Sequence, residues 1–125
     1  MRSDSALAAL RDIEHHIGLA VRFTEGFSYE AFSADPRTVY AVTRCLEIIS
    51  EASRRLPAEM KARHPAIHWK NMAGAGNIYR HDYEEVTTSA VWEAVQLALP
   101  PLSVVIEREL AGLDDSPAAR TGPEA

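Results

Sequence analysis

Between residues 35 and 57 the apolar residues fall into a register that suits only one kind of secondary structure. Val39, Val42, Leu46, Ile49, Ser53 and Leu56 step 3-4-3-4-3. On a helix that spacing is a continuous coiled-coil-like seam; on a strand it would scatter to both faces. Asp35 is a good N-cap residue and Pro36 suits the first helical position, so a sharp helix start is predicted there. Pro57 is expected to close the helix. Ala41, Cys45, Ile48 and Ala52 widen the seam into a second apolar stripe, flanked by Glu47 and Glu51. A helix apolar on two sides lies at the centre of a bundle, or is shared between its own bundle and a partner.

The same periodicity recurs on both sides. From about Ser5 to Glu25, Leu7, Leu10, Ile13, Ile17, Ala20 and Thr24 recur at three- and four-residue spacing, with Gly26 as the stop. Residues 27–34 form a connector whose Phe27, Tyr29 and Phe32 are available to seal the bundle end. Residues 58–65 read as a short basic connector, at most one helical turn. A third helix is predicted from His68 to Tyr83. A fourth runs from about Thr88 to Leu113 on Val91, Val95, Leu99, Leu102, Ile106, Leu110 and Leu113, with Trp92 beside the stripe. Pro100-Pro101 must kink or split it.

No alternating run suggests a strand. The expected architecture is all-α: an up-and-down four-helix bundle over residues 1–113, with 114–125 as a disordered tail. At 125 residues the chain is one domain with room for a modest core. The single cysteine, Cys45, excludes an internal disulfide and reads as a small core residue. No apolar run approaches the ~20 residues that cross a bilayer. The early run Ala6-Leu7-Ala8-Ala9-Leu10 is cut off by Arg11 and Asp12, so no signal peptide is read. The expected location is the cytoplasm, with no membrane partner.

The chemistry concentrates in Asn77-Ile78-Tyr79-Arg80-His81-Asp82-Tyr83, directly after Ala73-Gly74-Ala75-Gly76. Asn77 and His81 are one helical turn apart and share a face. An imidazole beside a guanidinium and an amide is a set that phosphodiester chemistry uses: a proton shuttle, a charge clamp and an orienting group. Glycines inside a helix each cost about 1 kcal/mol relative to alanine. Two accounts of Gly74 and Gly76 stand side by side: a close approach by another backbone or a ligand phosphate, or a phosphate-cradling loop. Trp69 and Tyr79 read as core residues.

Charge points the same way. The chain carries −5 overall, yet between Arg54 and His81 six basic residues face Glu59 alone. Arg54, Arg55, Lys61, Arg63, Lys70 and Arg80 form this stretch, joined by His64, His68 and His81. A local basic patch on an acidic chain suits one specific anionic ligand better than a general nucleic-acid coat. No metal site or other cofactor is expected. His64 and His68 are four apart but separated by Pro65, and no duplicated Glu-x-x-His pattern is present.

These motifs, taken in order, resemble the HepT family of HEPN-domain proteins. The resemblance rests on Leu46-Glu47-Ile48-Ile49-Ser50-Glu51-Ala52, Ile67-His68-Trp69-Lys70-Asn71-Met72-Ala73-Gly74, Asn77 to Tyr83, Val91-Trp92 and Leu99-Pro100-Pro101-Leu102. It covers roughly Leu7 to Leu110. It implies a helical bundle that forms a homodimer, with two signature helices around one cleft. It also implies a toxin of a bacterial toxin–antitoxin pair, a metal-independent ribonuclease whose antitoxin is a minimal nucleotidyltransferase. His81 and Tyr83 match the family signature, and Asn77 matches its polar position. The signature Arg position falls at Gly76, and Ser50 stands where the family commonly has Gly. On this resemblance His81, Arg80 and Asn77 are the expected catalytic residues and Tyr83 the site of nucleotide attachment. Lys70 and Arg63 are the expected RNA-binding residues. The alternative is a non-catalytic helical dimer that binds a nucleotidyltransferase or a nucleotide.

Overall fold

The computed structural model describes the backbone of residues 2–74 and 84–114, and the side chains of 5–74 and 88–113. Every regular element among the described residues is helical. The expected all-α class is therefore observed. Of the expected tail, 114–125, Asp114 is the last residue of a helix and the remainder lies outside the described residues.

Helix α1, Arg2–Thr24, starts earlier than its apolar spacing indicates. Leu10, Ile13, Ile17 and Ala20 are buried along its inner face, as the periodicity demands. Its end is set at Gly26, whose φ of 81° is a left-handed conformation that glycine adopts without a Cβ clash. The buried hydroxyl of Thr24 donates back to the Ala20 carbonyl at 3.0 Å, so no polar group is stranded there.

The connector that follows contains a short helix α2, Tyr29–Ser33, capped by the Ser28 hydroxyl accepting from the Ala31 N–H. It drives Phe32 fully into the core against Trp92, with ring centroids 5.2 Å apart, while Tyr29 meets the same indole edge-on.

Helix α3, Pro36–Arg54, begins where Asp35-Pro36 places it. The Asp35 carboxylate, however, makes no bond to the backbone of the first turn. It accepts from the Thr38 hydroxyl at 2.9 Å instead, so the cap acts through a side chain. Val39, Val42, Leu46 and Ile49 are buried as the seam requires; Cys45 and Ala52 are buried beside them. Burial pushes the Cys45 thiol up, which leaves it a core residue and a poor nucleophile. The helix ends before Leu56, and Pro57 leads instead into α4, Ala58–Ala62.

A further helical stretch, α5, covers residues 69–74. The rest of the third helix expected from the sequence lies outside the described residues. Helix α6, Glu84–Glu93, passes through a π-turn at Ala94–Ala98 into α7, Leu99–Asp114. The two prolines thus neither break the helix nor simply bend it. Pro100 and Pro101 lack the N–H groups that would reach the carbonyls of Gln96 and Leu97. The chain widens by one residue just before them, and the Leu99 N–H bonds back to the Ala94 carbonyl. Val91, Val95, Leu99, Leu102, Ile106 and Leu110 stay buried through the turn, while Leu97 is 67 % exposed.

The core sits between α1 and α3, closed on one side by α7 and at the end by α2 and α6. One sequence expectation is corrected here. Joined across the π-turn, Thr88–Leu113 is long and apolar enough to cross a membrane by length and composition. Its buried positions line one face in the bundle core, and only 28 % of that apolar window is buried.

Candidate functional site

Asn77, Arg80, His81 and Tyr83 lie outside the described residues. What the structure shows is the scaffold that leads into them. After α4 the chain turns through residues 63–68 and is stapled by Trp69. The indole Nε1–H donates to the carbonyls of Lys61, at 3.1 Å, and His64, at 3.0 Å. The half-buried ring packs on the core, as expected for this tryptophan. A second tie comes from α7. Arg63 forks onto Glu109, with Nη2 at 2.7 Å from one carboxylate oxygen and Nε at 3.2 Å from the other. His64 Nε2 shares that second oxygen at 2.5 Å. The Glu109 side chain is only 11 % exposed. The hydrogen bond from Arg63 holds its carboxyl below the usual carboxylate range; burial opposes this and His64 assists it.

The third tie holds the end of α5. The Ala73 carbonyl accepts from three donors on α3: the Ser50 hydroxyl at 3.0 Å, Arg54 Nε at 3.0 Å and Arg54 Nη2 at 2.6 Å. Ser50 and Arg54 are four residues apart on α3 and so present to one side. This places a buried hydroxyl and an exposed guanidinium together three residues before Gly76. Among the described residues, a Cβ at Gly74 would meet nothing within 4 Å. Close approach by a described part of the chain is therefore not the reason for glycine at that position.

The structure also sorts the basic stretch. Arg55 is paired with Asp12 at 2.8 Å, and Arg63 with Glu109. The Arg63 charge, expected to face RNA, is met by a carboxylate of its own chain. Among the described residues, neither Lys70 nor Arg54 has a carboxylate partner, and both are exposed. Beside α5 lies an open cavity of about 330 Å³. Leu46, Ile49, Met72, Leu97 and Pro101 supply apolar walls, and His68 and Asn71 supply polar groups. Among the described residues no three His, Cys, Asp or Glu side chains converge to hold a metal ion.

The sequence that builds this scaffold has counterparts among known proteins. The family described as ribonuclease HepT-like matches residues 13–109. The chain belongs to the HepT-like ribonuclease family. Among its relatives is a protein of Thermococcus cleftensis named "Probable ribonuclease HepT", 37 % identical over 99 residues, 79 % of this chain and 90 % of the relative. A Methanocaldococcus jannaschii protein named as a "Putative RNase" is 32 % identical over 108 residues, 86 % and 93 % of the two chains. Another protein so named, from Caldanaerobacter subterraneus, is 35 % identical over 86 residues, 69 % and 77 %. No solved structure matches the chain.

The HepT-like match begins within α1 and ends at Glu109, so all three ties lie inside it. Sequence reasoning named Lys70 and the signature residues. It missed Ser50, Arg54 and Glu109 as supports. Ser50 and Arg54 carried a faint signal, since they share a helix face four apart. Glu109 carried none, being 45 residues from His64.

Proposed function

We propose that this HepT-like protein is the toxin of a bacterial toxin–antitoxin pair and cuts RNA without a metal ion in a cleft between two copies. The observation that carries the reading is the family match over residues 13–109, which contains Asn77, His81 and Tyr83 in signature order. In the proposed reaction His81 takes the proton of a ribose 2′-hydroxyl, and the oxygen attacks the adjacent phosphorus. The 5′-oxygen departs and receives the proton, leaving a 2′,3′-cyclic phosphate and a 5′-hydroxyl. Arg80 stabilises the charge that develops on the phosphorane, and Asn77 orients His81 or the phosphate. Lys70 contributes charge for holding the strand.

The homodimer is supported by the apolar cavity wall and the exposed Leu97. That surface also includes Asn71 and Met72, a few residues before the signature. A second copy seated there has its own signature equally near the same surface. Silencing is assigned to Tyr83. A minimal nucleotidyltransferase would move AMP from ATP to its phenolic oxygen, releasing pyrophosphate. The added charge and bulk repel and block RNA.

A second reading, a helical dimer that binds a nucleotidyltransferase or nucleotide without cutting RNA, is favoured by Gly76 at the signature Arg position. The two are separated by incubating purified protein with single-stranded RNA in excess EDTA. Cyclic phosphate ends that disappear in His81→Ala support the ribonuclease. No cleavage, with retained binding of the transferase, supports the second reading.

A further inference from the structure

Two arginines of the basic stretch that marks this chain are met by carboxylates of the fold, and among the described residues a third, the last residue of α3, is not. Arg55 is met by Asp12 and Arg63 by Glu109. Arg54 directly precedes Arg55 in sequence, yet among the described residues it meets no carboxylate. Among the described residues its guanidinium is held by the Ala73 carbonyl alone, through Nε at 3.0 Å and Nη2 at 2.6 Å. A guanidinium carries five N–H donors in a rigid fork. Two bonds to one carbonyl therefore leave donors that face no acceptor among the described residues, including both on Nη1. The carbonyl does not need them for its own sake, because the buried Ser50 hydroxyl already donates to it at 3.0 Å. The arrangement fixes the orientation of an exposed cation that no carboxylate among the described residues neutralises. Lys70, one helical turn before Ala73, is a second exposed cation without a carboxylate partner.

We propose that Arg54 is a substrate-binding residue whose guanidinium, braced on the Ala73 carbonyl, holds a phosphate of the RNA strand beside the last described turn of α5. A braced, unneutralised fork matches phosphate geometry better than a flexible lysine does. The proposal rests on the ribonuclease reading and adds to it a residue of α3.

The test uses the whole protein and a short fluorescein-labelled single-stranded 2′-O-methyl oligoribonucleotide, which has no free 2′-hydroxyl and cannot be cut. The dissociation constant is measured by anisotropy across a series of salt concentrations. Each phosphate neutralised on a single strand contributes about 0.7 to the slope of log K against log salt. Arg54→Ala should lower that slope by about 0.7 and weaken binding about tenfold in low salt. Arg54→Gln keeps a donor for Ala73 but drops the charge, and should behave like Arg54→Ala. Arg54→Lys should keep the slope, and Arg55→Ala should match wild type. Circular dichroism melts establish that each variant is folded.

A wild-type slope in Arg54→Ala and Arg54→Gln would overturn the proposal and leave Arg54 as a brace. So would loss of slope in Arg54→Lys, or an equal loss in Arg55→Ala. Failure of the wild type itself to bind the oligomer would overturn the ribonuclease reading, and this proposal with it.

Discussion

Replacing Glu109 by glutamine tests the tie that joins α7 to the connector before the signature. Glutamine keeps the shape but removes the charge and presents an N–H₂ group to one of the two neighbours. The Arg63 guanidinium is 54 % exposed, so its ion pair is discounted by solvent to at most about 1 kcal/mol. His64 and Glu109 are 15 % and 11 % exposed, and a hydrogen bond to a mostly buried charged group contributes about 1.5 kcal/mol. The expected destabilisation near neutral pH is therefore about 2 kcal/mol, or a Tm lower by about 8 °C for a domain of this size.

The pH dependence has a definite sign. Arg63 first, and His64 after it, hold the Glu109 carboxyl below its ordinary 4.5, with burial opposing them. A depressed carboxylate stabilises the fold fully above its unfolded value and loses that contribution as pH falls through the folded value. The gap between wild type and Glu109→Gln, read from urea melts, should be complete at pH 7 and shrink below about pH 4.5. A gap that stays constant down to pH 3, or no gap at pH 7, would refute the reasoning.

Further expectations concern the core, the dimer and the modification. Phe32→Ala removes a fully buried ring packed on Trp92 and should cost about 3–5 kcal/mol in a denaturant melt. Leu97→Arg places a charge on the exposed apolar surface assigned to the second copy. Sedimentation at micromolar concentration should show a dimer for wild type and a 13.8 kDa species for the variant; an unchanged species in the variant removes that surface from the account. Mass spectrometry after incubation with the cognate nucleotidyltransferase and ATP should show added AMP on wild type and none on Tyr83→Phe. Attachment that persists in Tyr83→Phe or maps to Tyr29, Tyr40 or Tyr79 contradicts the assignment.

The helices were legible because each buries one face, and burial leaves a 3.6-residue period in the sequence. Val39 to Ile49 on α3 and Val91 to Leu110 on the C-terminal helix carry that period and are buried. The Pro100-Pro101 disruption was legible as a fact but not in kind. A missing N–H announces a broken ladder, whereas the π-turn that absorbs it depends on keeping Leu99 and Leu102 buried. Asp35 shows the limit for local rules, since its carboxylate had a backbone and the Thr38 hydroxyl to choose between. In the site, residue types were legible and their partners were not. Nothing local distinguishes the paired Arg55 and Arg63 from Arg54, because Asp12, Glu109 and Ala73 reach them only through the fold.

The central claim, that this HepT-like protein cuts RNA through His81, is tested most directly by the chemistry of the cut ends. Wild type and His81→Ala, purified identically and treated with EDTA, are incubated with end-labelled single-stranded RNA. The account predicts fragments ending in 2′,3′-cyclic phosphate and 5′-hydroxyl from wild type, and intact RNA from His81→Ala. Equal cutting by both proteins, or cutting by wild type that stops in EDTA and returns with a divalent ion, would contradict it.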